Sequence, residues 1–464
     1  MNYSVVIYIL GWIMEIEAAF LALPGIVSAI YGEKGGFAFL WVALGSAVAG
    51  SAIILRKPKN MRFYLREGFV TVALSWILMS VIGCLPFVIN GDIPHFADAL
   101  FEMISGFTTT GATVVSDVEG LTKGSLFWRS FSHWIGGMGV LVFLLAIVPM
   151  AGGSHMNLMK AESPGPSVGK LVPKVRQTAK YLYIIYFTLT MIEVIFLLFG
   201  GMNLFEALTT SFGTAGTGGF AIWNDGFVSV SPYNQWVVTI FMLLFGVNFG
   251  FYFLILTGKL RDALKFEEVR IYFIIVIASA VFIFINLRHF ALYAPVEGIR
   301  QAFFQVASII TTTGFASADF NLWPETSRTI LVLLMFIGAC AGSTGGGIKV
   351  SRFIIACKSF IKEIISYLHP RSVKKIKIEG KPLEHETLRA TNVYFMTYMV
   401  IFAVSVLLVS IENKDLVTNF AAVAATFNNI GPGLSLVGPM ANFGHFTDFT
   451  KYILMFDMLA GRLE

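Results

Sequence analysis

Charge is scarce in this sequence. Asp, Glu, Lys and Arg make up 13% of the 464 residues, while 56% are apolar and the mean hydropathy is +0.75; soluble domains carry about twice that share of charge. A chain so poor in charge cannot cover a water-facing surface, so the composition predicts a polytopic membrane protein. Cysteine is nearly absent too. Cys84, Cys340 and Cys357 fall in or beside apolar runs with no CxxC or metal-ligand spacing, which argues against a disulfide framework, a zinc site and redox chemistry. The N-terminus lacks a basic n-region and an A-x-A cleavage site, so its first apolar segment is expected to be retained. The net charge of +5 comes from short basic clusters between apolar runs, with no nucleic-acid-binding motif, and these clusters read as topology signals. An intramembrane enzyme would need a nucleophile beside a base, or a set of metal ligands. His133 and Asp457 stand alone in the sequence, and no enzymatic activity is expected.

What the sequence does have is a recurring turn. Residues 99–111 read ALFEMISGFTTTG, 207–219 read ALTTSFGTAGTGG and 302–314 read AFFQVASIITTTG, with alanine twelve positions before the final glycine each time. A fourth copy, NFAAVAATFNNIG at 419–431, keeps the length but not the alanine. The closing glycines, Gly111, Gly219, Gly314 and Gly431, lie 108, 95 and 117 residues apart. That spacing is a long structural repeat, far beyond the period of a solenoid.

Apolar runs long enough to cross about 30 Å as helix fall near 4–30, 37–55, 68–89, 127–150, 181–200, 233–257, 270–287, 328–366, 391–411 and 448–464. The first two stand outside the repeat, and the other eight pair off as span, turn element, span. Basic clusters follow every second span: Arg56, Lys57, Lys59, Arg62 and Arg66; Lys160, Lys170, Lys174, Arg176 and Lys180; Lys259, Arg261, Lys265 and Arg270; Arg371, Lys374, Lys375, Lys377 and Lys381. All four then lie on one face, which the positive-inside rule makes cytoplasmic together with the N-terminus. The turn elements therefore enter from outside, and the acids on their approaches (Asp92, Asp98, Asp117, Glu119, Asp225, Asp319, Asp448) are expected to concentrate cations at an outer mouth.

Each turn element is a helix too short to span. Non-helical backbone at membrane depth must be buried in protein or line water, so four such elements from one side predict a central aqueous path. Glycine supplies positive φ at little steric cost, which lets successive carbonyls point inward, and each short helix aims its negative C-terminal end at the same place. Four carbonyl sets in a ring are what replaces a cation's hydration shell.

Two further features lie on that path. Gly342-Ser-Thr-Gly-Gly-Gly347 sits mid-way along the 328–366 run and predicts a break, since each interior glycine costs about 1 kcal/mol against alanine. Arg462 falls past mid-membrane in the last span, where an arginine must face water; it is expected to point into the pore and bond the carbonyls of 342–347. Lys349 reads either as a gating residue or as a lysine snorkelling to the rim. Glu15 or Glu17 is expected to pack at an interface, His133 to be a satisfied packing histidine, Glu193 to be paired within the bundle, and Asp457 to pair with a basic neighbour.

The strings TTTGATV (108–114), GTGGF (216–220), TTTGF (311–315) and NNIGPG (428–433) resemble the filter loops of the TrkH/KtrB/HKT superfamily of potassium transporters. WRSFSHWIGGMG (128–139), AGSTGGGIKVSR (341–352) and MLAGRLE (458–464) are similar to its TrkH branch. The resemblance implies an all-α polytopic membrane protein of four helix-pore helix-helix repeats around a pseudo-fourfold pore, plus two N-terminal helices. The divisions are 1–66 for the N-terminal pair, 67–180, 181–268, 269–390 and 391–464 for the repeats. The K⁺-binding filter positions carry over as Thr109, Thr110, Gly111 and Ala112; Thr217, Gly218, Gly219 and Phe220; Thr312, Thr313, Gly314 and Phe315; Asn429, Ile430, Gly431 and Pro432, and the fourth set is expected to coordinate less regularly. The gate carries over as Gly342, Ser343, Thr344, Gly345, Gly346, Gly347, Lys349 and Arg462. Glycine at all four key positions implies K⁺ rather than Na⁺.

The resemblance also implies a homodimer in the inner membrane of a prokaryote, on a cytoplasmic ring of TrkA-type RCK subunits. Nucleotide is expected only on that ring, with no covalent cofactor and K⁺ as substrate. The stretches 151–180 and 367–390 are candidate docking surfaces for that ring, or basic loops for anionic lipid. With no acid in the filter, channel-like uptake is expected ahead of symport with H⁺ or Na⁺, and a midplane transporter of inverted repeats fits four same-side elements less well. The last helix is expected to be shortened.

Overall fold

The computed structural model describes residues 1–59, 64–139, 175–369, 375–378 and 381–463. The second half of the 127–150 span, Arg62, Lys160, Lys170, Lys174, Arg371, Lys374 and the 151–174 part of the first docking stretch lie outside these residues. The described residues are helical apart from loops and one small antiparallel ladder that pairs Lys377 with Pro382 and Ile378 with Lys381.

Two helices, α1 (Tyr3–Ile30) and α2 (Gly36–Ile54), precede the repeats. They approach closely because small residues face each other: a β-carbon on Gly36 would come 2.6 Å from Ser28 Cβ, and one on Gly50 2.9 Å from Gly11 O. In lipid, such packing stands in for the hydrophobic drive available in water. The Glu33 carboxylate then caps the next unit, accepting from Lys123 N (2.7 Å) and Gly124 N (3.2 Å) at the positive end of α5 (Lys123–Gly137).

Four units follow, each a long helix, a short helix, a glycine turn and a second helix. The long helices are α3 (Leu65–Asn90), α6 (Val175–Phe199), α11 (Glu267–His289) and α15 (His385–Val409). The short ones are α4 (Phe96–Phe107), α7 (Leu204–Gly216), α12 (Pro295–Ile310) and α16 (Leu416–Phe427). At 12 to 16 residues they reach only about 18 to 24 Å, short of a bilayer. Their starts are fixed chemically. Asn203 and Glu206 form a capping box on α7, Pro295 opens α12, and Asp415 accepts from Thr418 N (2.9 Å) to start α16. The Thr418 hydroxyl and amide hold the Asp415 carboxyl below the usual carboxylate range.

The second helices are where the sequence reading needs correction. The run 233–257 is not one continuous helix: α8 (Pro232–Phe245) and α9 (Phe249–Leu256) bend by 87° at residues 246–248. Asn248 causes the restart, its side chain accepting from Gly250 N (2.8 Å). The run 328–366 is also divided, into α13 (Glu325–Ile337) and α14 (Val350–Leu368). A five-residue helix, α10 (Leu260–Leu264), precedes α11, and α17 (Asp448–Leu463) closes the fourth unit. Among the described residues, six helices are long and apolar enough to cross a membrane, or seven with the bent pair counted as one span.

The two breaks solve one problem together. Cys340 N donates to Gly246 O (3.0 Å), Phe249 N to Gly342 O (3.0 Å) and the Thr344 hydroxyl to Phe245 O (3.3 Å). Backbone groups freed in one helix are thereby satisfied by those freed in the other, as a membrane interior requires.

Close backbone approach holds the units to each other. A β-carbon on Gly216 would overlap His133 O of α5, and that oxygen belongs to a helix that cannot yield. Gly45 of α2 faces open space. Gly216→Ala is therefore expected to lower the thermal midpoint of the detergent-purified protein by the equivalent of about 1 to 3 kcal/mol. Gly45→Ala in the same assay is expected to leave it unchanged or slightly raised; equal effects would show that the α5–α7 contact is not tight.

Candidate functional site

The four glycine turns meet in a ring. Gly111, Gly219, Gly314 and Gly431 have φ of 77°, 81°, 85° and 93°, and the residues two before them, Thr109, Thr217, Thr312 and Asn429, have φ of 57°, 54°, 59° and 54°. Positive φ at a threonine or asparagine is uncommon and is kept only where surroundings enforce it. The sequence pointed to the glycines alone. The fourth copy, expected to be less regular, has the same alternation, because backbone angles there follow the turn and not the threonine content.

Neighbouring turns interlock in cyclic order. A β-carbon on Gly111 would overlap Gly218 O, one on Gly219 would overlap Thr313 O, and one on Gly314 would overlap Ile430 O. On Gly431 it would stand 2.8 Å from Thr110 O. The carbonyl just before each ring glycine thus fills the place where the preceding unit's glycine lacks a side chain, and the fourth junction returns to the first. That last junction is the loosest.

Side chains behind the ring fix it. Glu102 and Arg129 are 0% and 2% exposed and form an ion pair, with Arg129 Nη2 at 2.7 Å and Nε at 2.8 Å from Glu102 Oε1. Glu102 accepts from the Thr113 hydroxyl (3.0 Å) and Val114 N (3.1 Å), while Arg129 lies over the Phe220 ring at 4.2 Å and donates to Ala221 O (3.4 Å). One pair therefore clamps the exits of the first and second turns. Gln305, nine residues before Gly314 as Glu102 is before Gly111, does this uncharged. Its amide oxygen accepts from Ser317 N (2.9 Å) and Ala318 N (3.2 Å). His133 donates from Nδ1 to Gly106 O (2.8 Å) and accepts at Nε2 from Phe220 N (3.2 Å), a neutral histidine with both nitrogens used. Asn429 donates to Thr110 Oγ1 (2.9 Å) and Met458 O (2.9 Å), tying the fourth turn to the first and to α17.

Outside the ring is a vestibule lined by Ala112, Phe220, Phe315, Pro432 and their neighbours, where Arg129 is the single charged side chain among the described residues. The acids expected at this mouth are engaged elsewhere. Asp92 accepts from Thr122 and Ser125, Asp117 from Asn224, and Asp98 pairs with Lys451 at 2.5 Å. They brace loops because loop amides and hydroxyls lie nearer to them than the axis does.

On the other side the 338–349 segment covers the ring. Gly346 N donates to Thr312 Oγ1 (2.6 Å), and β-carbons on Gly345 and Gly346 would lie 2.8 Å from Thr311 O and Asn428 O. Glu268 Oε1 gathers both ends of the segment, accepting from Ala341 N (2.7 Å) and Ser351 N (3.1 Å). Arg462 donates to Thr344 O (3.0 Å), Gly136 O (2.7 Å) and Gly137 O (3.3 Å), so it bridges the segment to the end of α5 as well. Lys349 does not snorkel: it is 2% exposed and its ammonium donates to Gly345 O, because its backbone, at φ 79°, turns it back into the segment.

Two other readings change. Asp457 pairs not with a base but with the Ser405 hydroxyl (2.6 Å). Glu193 is fully buried, and neither carboxylate oxygen has a hydrogen-bond partner among the described residues; the neighbouring Thr214 hydroxyl of α7 is given to Thr210 O (2.9 Å) instead. Glu15 and Glu17 pack at helix interfaces as expected: Glu15 accepts from the Ser51 hydroxyl of α2 (2.5 Å), and Glu17 lies against Gly83 of α3 with no hydrogen-bond partner among the described residues.

Two outcomes follow from the ring. Arg129→Met strands a buried carboxylate and is expected to destabilise the purified protein by about 3 to 5 kcal/mol, with Glu102→Gln/Arg129→Met recovering part of it; a double variant no better than the single would remove the clamp. In vesicles, Gly431→Ala is expected to keep more cation flux than Gly111→Ala, Gly219→Ala or Gly314→Ala. The reverse order would mean that the fourth junction is not the loosest.

Residues 37–464 match the TrkH family, described as cation transport protein. The Trk system potassium uptake protein TrkH of Escherichia coli K12 is 36% identical, an alignment covering 100% of this chain and 97% of that protein. TrkH of Vibrio parahaemolyticus is 35% identical at the same coverage. The crystal structure of the potassium transporter TrkH from Vibrio parahaemolyticus superposes with a TM-score of 0.87 at 32% identity, covering 100% of this chain and 97% of that one.

Proposed function

Because the chain belongs to the TrkH family of cation transport proteins, a family of multi-pass transporters and not of enzymes, we propose that it takes up K⁺ through the ring of glycine turns. The carrying observation is the cyclic interlock, in which Thr110, Gly218, Thr313 and Ile430 each present a carbonyl against the neighbouring turn. Carbonyls held at fixed spacing replace the water that a K⁺ ion sheds, and the ring does not collapse onto the smaller Na⁺ without breaking its own packing. The short helices add the negative ends of their dipoles, which explains how the vestibule favours cations with no carboxylate in its lining.

Inward of this filter, the 338–349 segment closes the path and Arg462 places a positive charge across it. Opening requires the segment to leave Thr312 and Arg462 to leave Thr344 O. A membrane potential of about 100 mV is worth roughly 2.3 kcal/mol per charge, enough for about 50-fold accumulation, so a gated passive pathway suffices. Proton coupling is the second reading, favoured by one observation: Glu193, buried behind the second turn, holds a carboxyl with no hydrogen-bond partner among the described residues. The basic clusters support a prokaryotic cytoplasmic membrane with the N-terminus inside. The Trk-system names of the relatives support assembly with other Trk components, for which we propose a homodimer on a nucleotide-binding RCK ring. Such a ring would reach the basic surface around Lys375–Ile378.

The test is ⁸⁶Rb⁺ uptake into proteoliposomes, competed with K⁺ or Na⁺, alongside Gly314→Ser. K⁺ is expected to compete far better than Na⁺, and the substitution to narrow that difference. If neither ion competes and the substitution changes nothing, the turns are not a filter. Uptake that acidifies the lumen, and stops doing so in Glu193→Gln, would select the proton-coupled reading.

A further inference from the structure

We propose that the Thr312 hydroxyl is shared between the filter and the closing segment, so that a K⁺ ion at the inner end of the filter and the seated segment exclude one another. The inference rests on the filter reading above and adds a linkage to it.

Thr109, Thr217, Thr312 and Asn429 share one register, two residues before each ring glycine, all at positive φ and all buried. Their side-chain oxygens are used differently. Thr109 Oγ1 and Asn429 Oδ1 are buried with no hydrogen-bond partner among the described residues, and the Thr217 hydroxyl donates to its neighbour Gly216 O (2.6 Å). Thr312 alone in this register receives the closing segment, through Gly346 N at 2.6 Å. Buried oxygens without partners are rare, and two of them at one level of a proposed ion path are the arrangement that a desolvated cation would satisfy.

The hydrogen bond to Thr312 conflicts with that cation. A hydroxyl has two lone pairs, so the conflict is electrostatic: with Gly346 on one of them, the positive end of its N–H stands beside an ion held on the other. The conflict is not relieved by a small shift, because Gly345 and Gly346 lie with their backbones against Thr311 O, Asn428 O and Asn429 Cβ (3.0 Å from a β-carbon on Gly346). Two cationic groups act in the same direction, since Lys349 bonds Gly345 O and Arg462 bonds Thr344 O, so seating the segment also brings their charge toward the inner site. Linkage is reciprocal: whatever factor the seated segment takes from ion affinity, the bound ion takes from the seated population. Permeant ion thereby promotes opening of its own gate, and a filter emptied of K⁺ lets the segment close.

The experiment reads the position of the segment without using flux. Ser343→Cys in a Cys357→Ser background places a reporter thiol on the segment, with Cys84 and Cys340 buried. Its modification rate by a charged methanethiosulfonate is measured in nanodiscs in K⁺ and in choline, with ⁸⁶Rb⁺ flux of the same protein measured in proteoliposomes. K⁺ is expected to raise the rate about fivefold, the size of one net hydrogen bond. Thr312→Ser is expected to preserve this response, whereas Thr312→Val should react as fast in choline as in K⁺. A rate identical in the two salts with flux intact overturns the proposal and leaves the filter reading standing, and this comparison holds even if Thr312→Val fails to fold. A Thr312→Val protein that responds as its parent does also overturns it. Absence of ⁸⁶Rb⁺ flux removes the filter reading, and the linkage with it.

Discussion

The structure depends on one steric relation repeated around a ring: a neighbour's carbonyl oxygen occupies, or at the fourth turn closely approaches, the place where a glycine's β-carbon would be. Backbone can come that close only where a side chain is missing and φ is positive, so Gly111, Gly219, Gly314 and Gly431 are required twice over. Everything outward of the ring serves to keep this backbone from relaxing. The short helices deliver the turns to one level, and the positive-φ residues two positions earlier reverse the chain. Glu102, Arg129, His133 and Gln305 then hold the exits with hydrogen bonds whose partners are main-chain atoms. A pathway made of carbonyls needs its second layer of polar groups because a bilayer offers no water to satisfy backbone that drifts.

The same shortage of water explains the gate's construction. A helix broken in lipid exposes donors and acceptors that cost several kcal/mol each if left alone, and this chain breaks two helices side by side. The break at 246–248 and the segment 338–349 exchange hydrogen bonds, Glu268 collects two amides with one oxygen, and Lys349 and Arg462 neutralise carbonyl ends. Each of these partners is a side chain or another loop, which can be exchanged at less cost than a helical ladder. A closed segment satisfied in this way is stable enough to populate and has discrete contacts to break.

The sequence made the architecture legible because the ring requirement is stated in residue type and spacing. Glycine at a fixed distance from a short apolar helix, four times, admits few other readings, and six consecutive small residues at 342–347 in an apolar run can hardly be helix. The break at 246–248 was hidden because Gly246-Val-Asn248 carries one glycine in a continuous apolar run; Asn248, which caps the restart, was the local signal, while the amide that takes up Gly246 O belongs to Cys340, nearly a hundred residues away. The Glu102–Arg129 clamp was missed for a similar reason: its members lie on two helices and in two separate strings, 99–111 and 128–139, and neither string says that the two side chains meet. A register signal did exist: Glu102 and Gln305 are the same position of two copies. Asp457 was misread, and Lys349 left between two readings, because local sequence gives a charge's depth but not its partner.

Pseudo-fourfold symmetry in one chain leaves the four positions free to differ, and they do. The first and second turns share a buried ion pair, the third is held by an amide, and the fourth has Ala422 where Glu102 and Gln305 stand, its exit being held further along, by Val437 O on Gly433 N and by the Asn321 side chain on Ser435 N. The fourth junction is also the one where a β-carbon would keep 2.8 Å from the neighbouring oxygen. Stiffness therefore falls from the first turn to the fourth, and the closing segment lies beneath the third and fourth, against Thr311, Thr312, Asn428 and Asn429. Asn429 reaches from this soft side to Thr110 on the stiff side and to Met458 of α17, the helix that ends in Arg462. Movement of α17 is thus coupled first to the least constrained part of the ring. Four identical units could not separate a rigid part that selects from a compliant part that responds to the gate; duplicated and diverged units within one polypeptide can.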